Sequence, residues 1–142
     1  MPAEKESPRD PLTGLPGRGL LDVLDPPFRV RGAGETWSVM LLELLDLDSV
    51  RSGHGKLMAD QILQQTAYML ARNTKKTDEL MLLEKGLFAL VLPSTNRTQA
   101  INLALRLAGS LKQEAFPGGL QVAFNLGIAE SAGVDRDLSA VM

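Results

Sequence analysis

The chain contains no cysteine, so neither a disulfide framework nor a thiolate for metal binding or nucleophilic attack is available. That absence fits a reducing compartment, and a cytoplasmic protein is the expectation. The only histidine is His54, which leaves no histidine pair for a metal centre or a catalytic relay; beside Gly53 and Gly55 it reads as a solvent-facing loop residue. Aromatic residues are scarce, at 4% of the chain, so a core has to be built mainly from Leu, Val and Met. An excess of one charge is also missing: 15 Lys and Arg against 17 Asp and Glu give a formal charge of −2. A chain so balanced has no general attraction to nucleic acid or to an anionic membrane. Residues 1–10 are polar and carry Pro2 and Pro8, without the apolar centre of a signal peptide, and no stretch reaches the length of a membrane span.

What is present is an ordinary globular balance, 44% hydrophobic and 23% charged over 142 residues, which suits one domain with one core. Residues 1–9 read as a flexible tail and residues 10–142 as the domain. A turn-rich stretch from Asp10 to Gly19 leads to a short helix over Leu20–Leu24, closed by Asp25-Pro26-Pro27. Trp37 to Leu45 is apolar on both parities, the pattern of a strand covered on both faces. Ser49 to Gly55 is polar and reads as a loop, after which apolar residues at helical spacing predict a helix from Lys56 to Asn73-Thr74. Leu80–Leu83 and Leu87–Leu92, separated by Glu84-Lys85-Gly86, predict a β-hairpin. A second amphipathic helix is expected over Asn96–Glu114, with Ile101, Ala104, Leu105, Ala108 and Leu111 on its buried stripe and Leu103 and Leu107 widening it. The last strand is expected over Leu120–Ala129. A central hairpin forbids an all-parallel sheet, so the fold class is α/β in the α+β sense.

Several segments also follow a known order and spacing. Asp10-Pro11-Leu12-Thr13-Gly14-Leu15-Pro16-Gly17-Arg18 is similar to D-x-L-T-G-L-x-N-R, with Gly17 in place of Asn. Placing Ala59-Asp60 on a Gly-Asp pair brings Ala67 and Leu70 onto apolar helix positions, Asp78 onto the Asp of an RxxD motif and Phe88 onto the Phe of GGDEF, without a gap. Val91-Leu92-Pro93 and Asn125-Leu126-Gly127-Ile128-Ala129 continue the match. Over roughly residues 10 to 130 the chain therefore resembles the GGDEF family of diguanylate cyclases. The resemblance implies a nucleotide-cyclase or polymerase-palm-like fold, with a central, largely antiparallel sheet flanked by helices. It also implies a further helix and a final strand; Asp137–Met142 begins to look helical where the sequence stops, so the expectation is either a fragment of a longer chain or a shortened domain that lacks both.

Diguanylate cyclases join two GTP molecules through metal-assisted phosphoryl transfer, which needs carboxylates at fixed positions. Here the motif reads Glu84, Lys85, Gly86, Leu87 and Phe88. Leu87 takes the place of the metal-binding Glu and has no donor atom for Mg²⁺. Glu84 and Lys85 replace two glycines where backbone must approach the nucleotide. Glu43 matches the metal-binding Asp of the first strand while Leu45 replaces a second carboxylate; a shifted reading puts Asp46-Leu47-Asp48 there instead, and the bland reading makes Asp46 and Asp48 turn residues. Arg51 falls on the Asn that contacts guanine and offers donors only. Asp60 is kept at the other base-contacting position, although an Asp there also suits the helix dipole.

The resemblance further implies a product-binding inhibitory site. Lys75 and Asp78 stand where an Arg and an Asp three residues apart hold cyclic di-GMP in the family, with Arg72 and Lys76 available in support. Lysine lacks the planar fork of arginine, which weakens such a site. The expectation is thus a catalytically inactive GGDEF-like domain acting as a regulatory or protein-interaction module in bacterial cyclic di-GMP signalling, partnered by another protein or a neighbouring domain. No catalytic metal or cofactor is expected. The alternatives are a cyclic di-GMP receptor using Lys75 and Asp78 and, last, an active cyclase using Glu43, Asp46, Asp48 and Asp60.

Overall fold

The computed structural model describes residues 9–17 and 36–130. The helix expected over Leu20–Leu24, the helical start at Asp137–Met142 and most of the N-terminal tail lie outside the described residues. In chain order the elements are β1 (Ser38–Leu44), α1 (Leu47–His54), α2 (Lys56–Arg72), β2 (Glu79–Glu84), β3 (Leu87–Leu92), α3 (Arg97–Gln113), a 3₁₀ turn (Pro117–Gly119) and β4 (Phe124–Glu130).

The strands form one sheet in the order β2-β3-β1-β4, antiparallel at every pairing. Both faces of β1 are covered over residues 39–42, which explains the apolar residues at both parities there. Met40, Leu42 and Leu44 join Phe88, Leu90 and Leu92 of β3 and the inner faces of α2 and α3, among them Ile62, Leu63, Leu70, Leu107 and Leu111, in the main core. Burying side chains of this kind contributes about 1.5–3 kcal/mol each. Val39 of β1 points the other way, into a smaller cluster with Trp37, Met81, Ala89 and Val91. Among the described residues no helix is long and apolar enough to cross a membrane.

Three expectations need correction. The polar stretch after β1 is a helix, α1, so His54 is its last residue rather than a loop residue. Its formers are weak, but Leu47 is buried in the main core and Val50 packs against it, so tertiary packing overrides local propensity. The buried stripe of α3 is also rotated from the predicted one: Ala100, Ala104, Leu107 and Leu111 face inward, whereas Ile101 is 39% and Leu105 is 67% exposed. The apolar positions of this helix fill more than half its circumference, so spacing alone does not fix the centre of the face. Finally, β4 starts at Phe124, because Pro117–Gly119 forms a 3₁₀ turn and residues 121–123 stay irregular.

Local chemistry sets the element ends. Asn96 caps α3 by accepting from the Gln99 amide at 2.9 Å, while the Gln99 side chain accepts from the Asn96 amide at 2.9 Å, a reciprocal cap that stabilises by about 1 kcal/mol. The two-residue turn between β2 and β3 relies on Gly86, whose φ of 86° is a left-handed conformation costly for other residues. Near the N-terminus, Asp10 Oδ2 accepts from the Thr13 amide at 2.8 Å and from its hydroxyl at 2.9 Å. That turn is fastened to the rest of the fold by Leu82 N donating to Pro16 O at 2.9 Å and Gln64 Nε2 donating to Leu12 O at 3.0 Å. The spacing of Asp10, Thr13 and Pro16 thus lays this segment along the outer edge of β2.

Candidate functional site

Three places collect the residues singled out by the sequence. The first is the end of the sheet at the hairpin turn. Glu43 near the end of β1 is the direct partner of Leu87 on β3 and of Asn125 on β4. Directly opposed residues project from the same face with Cβ atoms about 4.5–5.5 Å apart. An exposed carboxylate therefore stands beside a half-buried leucine. Gly86 is drawn close beneath this point, its carbonyl accepting from Leu44 N at 2.8 Å. A Cβ built on Gly86 would sit 3.4 Å from Leu47 Cδ2. Phe88 has no exposed surface and belongs to the core. Asp46 is the N-cap of α1 with a left-handed φ of 63°, and Asp48 lies in that helix's first turn; both are exposed. This is the turn-and-dipole placement of the bland reading. Among the described residues no group of three or more His, Cys, Asp or Glu side chains could hold a metal ion.

The second place is a cavity of about 630 Å³ between the N-terminal turn, the start of α2 and the end of β2. Leu12, Leu63 and Leu82 supply apolar lining, and three cations (Arg9, Lys56, Lys85) face three carboxylates (Asp10, Asp60, Glu84) around it. Lys56 Nζ lies 2.7 Å from Asp60 Oδ2. The hydrogen bond from Lys56 holds the Asp60 carboxyl below its ordinary range; desolvation opposes this, and the charges of Lys56, Lys85 and Arg51 add to it. Asp60, retained at a base-contacting position, is thus already engaged within its own helix. Arg51 comes from α1, and its Nε is buried without a hydrogen-bond partner among the described residues. Among the described residues cations and carboxylates are equal in number around the cavity, which leaves no surplus positive charge from them to balance a triphosphate.

The third place is a cavity of about 230 Å³ where the end of α2, the 75–78 turn, the end of β3 and α3 meet. Lys75 and Asp78 both line it. Asp78 Oδ2 accepts from Lys75 N at 2.9 Å and Lys75 O accepts from Asp78 N at 3.1 Å, so one carboxylate oxygen closes the turn. The two supporting cations are elsewhere. Arg72 lies 4.9 Å above the Tyr68 ring and 3.9 Å from Glu114, and Lys76 is exposed without lining the cavity. In their stead α3 supplies Arg106, with Asn102 one turn before it. Sequence reasoning missed both. Their signal was the polar face of α3, where Gln99, Asn102 and Arg106 recur at helical spacing. Among the described residues the side chains of Lys75, Asn102 and Arg106 have no hydrogen-bond or ion-pair partner.

The family model "Diguanylate cyclase, GGDEF domain" matches residues 7–142. No curated protein gives a significant match. Solved structures with this fold include the diguanylate cyclase SiaD from Pseudomonas aeruginosa in complex with its activator SiaC. It is 27% identical with a TM-score of 0.79, over 91% of this chain and 52% of SiaD; the chain thus spans about half of that protein's length. A sensory box/GGDEF family protein from Caulobacter crescentus CB15 is 25% identical with a TM-score of 0.75, covering 94% of this chain and 96% of its own. The GGDEF domain of DgcB from Caulobacter crescentus, in complex with c-di-GMP, has a TM-score of 0.82 at 17% identity, over 94% of this chain and 82% of that one; that likeness concerns the fold alone.

Proposed function

The chain belongs to the GGDEF family of diguanylate cyclase domains, and from that premise we propose that this copy is catalytically inactive and serves as a regulatory or protein-interaction module in cyclic di-GMP signalling. The observation that carries this reading is the pairing of Glu43 with Leu87. Where family chemistry needs carboxylates from the first strand and from the hairpin to share a metal, one side has an aliphatic side chain. Mg²⁺ takes oxygen ligands in near-octahedral geometry and gains nothing from a leucine. A single exposed carboxylate beside water holds it weakly, so charge developing on a transferred phosphoryl group has no counterion there. The charge-balanced cavity and the Lys56–Asp60 pair support the same reading.

Such a domain acts through what it contacts inside the cell, a neighbouring domain or another protein. A precedent for protein binding is SiaD, which was solved in complex with its activator. Incubation of the chain with GTP and Mg²⁺ or Mn²⁺ tests the proposal: no cyclic di-GMP is expected, and steady turnover would reject it.

A second reading is favoured by the smaller cavity, where Lys75, Arg106 and the remaining oxygen of Asp78 converge. Two unpaired cations suit phosphate groups, and a carboxylate oxygen accepts from a purine amine. This is the chemistry of a cyclic di-GMP receptor. Isothermal titration with cyclic di-GMP should give a binding isotherm that is lost in Arg106→Ala; no heat at high ligand concentration would end the receptor reading.

A further inference from the structure

We propose that the cavity between α2, β3 and α3 accepts adenine as well as guanine cyclic dinucleotides, because the group left free to read a base there is the carboxamide of Asn102; this inference rests on the receptor reading.

Most polar groups of the cavity are already engaged by the fold, and Thr95 Oγ1 donates to Pro93 O at 2.8 Å. Asn73 Nδ2 donates to Met69 O at 2.8 Å, and Gln99 Oε1 accepts from the Asn96 amide at 2.9 Å; each of these amides has one half committed to the fold. One oxygen of Asp78 accepts from Lys75 N at 2.9 Å. Lys75 and Arg106 offer donors only and are the cations that line the cavity, so a ligand carrying two phosphates claims them first. Asn102 lines the same cavity one helical turn before Arg106 and has no intramolecular side-chain partner among the described residues.

A carboxamide presents a donor and an acceptor side by side. Turned one way it matches the amine and ring nitrogen of adenine; flipped, it matches the carbonyl and ring N–H of guanine. An arginine fork instead favours the two acceptors of guanine. The remaining Asp78 oxygen accepts from the exocyclic amine that either purine carries. Among the described residues the cavity therefore has groups for a purine edge and none that rejects adenine.

Isothermal titration of the chain with cyclic di-GMP and, separately, cyclic di-AMP tests the inference. The two ligands share their phosphates, so the ratio of affinities reports on the base alone. The expected ratio for the wild type lies within about tenfold, since a carboxamide free to flip pairs with either purine and only a fixed donor pattern generates larger discrimination. Asn102→Ala should weaken both ligands about equally, whereas Asn102→Arg should raise the preference for the guanine ligand roughly tenfold or more. Thermal melts of both variants should match the wild type, because Asn102 is exposed. A wild-type guanine preference above tenfold, or an Asn102→Ala variant that binds both ligands unchanged, overturns the inference and leaves the receptor reading standing. Failure of the wild type to bind either ligand ends the receptor reading and this inference with it.

Discussion

Replacing Leu87 with Glu places a second carboxylate directly across from Glu43, and the consequence can be worked out from the register. Directly opposed side chains start about 5 Å apart. Two unit charges at that distance repel by about 1 kcal/mol in water and about 3 kcal/mol at an effective dielectric of 20. Glu43 is exposed, so water screens the pair, and without metal the repulsion in Leu87→Glu should destabilise the fold by roughly 1 kcal/mol. A divalent ion reverses the sign of the interaction by binding both groups. If the new pair holds Mn²⁺ with a dissociation constant of about 1 mM, 10 mM metal restores about 1.4 kcal/mol. For a chain of this size that is a rise of roughly 3–7 °C in melting temperature. Melts of the wild type, Leu87→Glu, and Leu87→Glu with Glu43→Gln, each with and without 10 mM MnCl₂, make the comparison. The single variant should gain several degrees with metal, while the wild type and the double variant should gain little. A wild type that responds as strongly as Leu87→Glu would show that a metal site already exists, and an unresponsive Leu87→Glu would show that the two positions do not share a face.

Gly86→Ala forces a side chain into a left-handed φ of 86° and within 3.4 Å of Leu47 Cδ2, which should cost about 1–2 kcal/mol. Gly109→Ala, in the middle of α3 with open space around it, should instead stabilise by about 0.5–1 kcal/mol; urea titration of both variants gives opposite signs if the two glycines differ as described. Partial burial raises the Glu79 carboxyl above its ordinary value of 4.5, with Arg9 opposing and Asp78 adding to the shift. A raised folded-state value means the favourable contribution is complete below the unfolded value and disappears as pH rises through the folded one. Glu79→Gln should therefore be more stable than the wild type at pH 7 and equal to it below about pH 4, as melts across pH would show.

The fold was readable wherever apolar periodicity and turn chemistry agree. The two-sided run of β1, the Lys85-Gly86 turn between two apolar strands and the helical apolar spacing over residues 96–114 all point to the elements found. Helix α1 was not readable, since its eight residues include Asp48, Ser49, Ser52 and Gly53, and its stability comes from Leu47 packing in a core assembled from distant segments. At the smaller cavity, Lys75 and Asp78 were singled out because they stand three positions apart, the spacing of the RxxD motif. Asn102 and Arg106 were not, because they reach the cavity only once α3 has folded back beside the end of β3. The direction taken by Arg72 was equally hidden: Tyr68, one turn earlier, draws it away towards Glu114.

Turnover of GTP bears most directly on the central claim, that a leucine opposite Glu43 leaves the hairpin without a metal-binding pair. With GTP and 10 mM Mg²⁺ or Mn²⁺, chromatography of the reaction should show no cyclic di-GMP above a protein-free control. Cyclic di-GMP that accumulates in proportion to protein concentration would contradict the account.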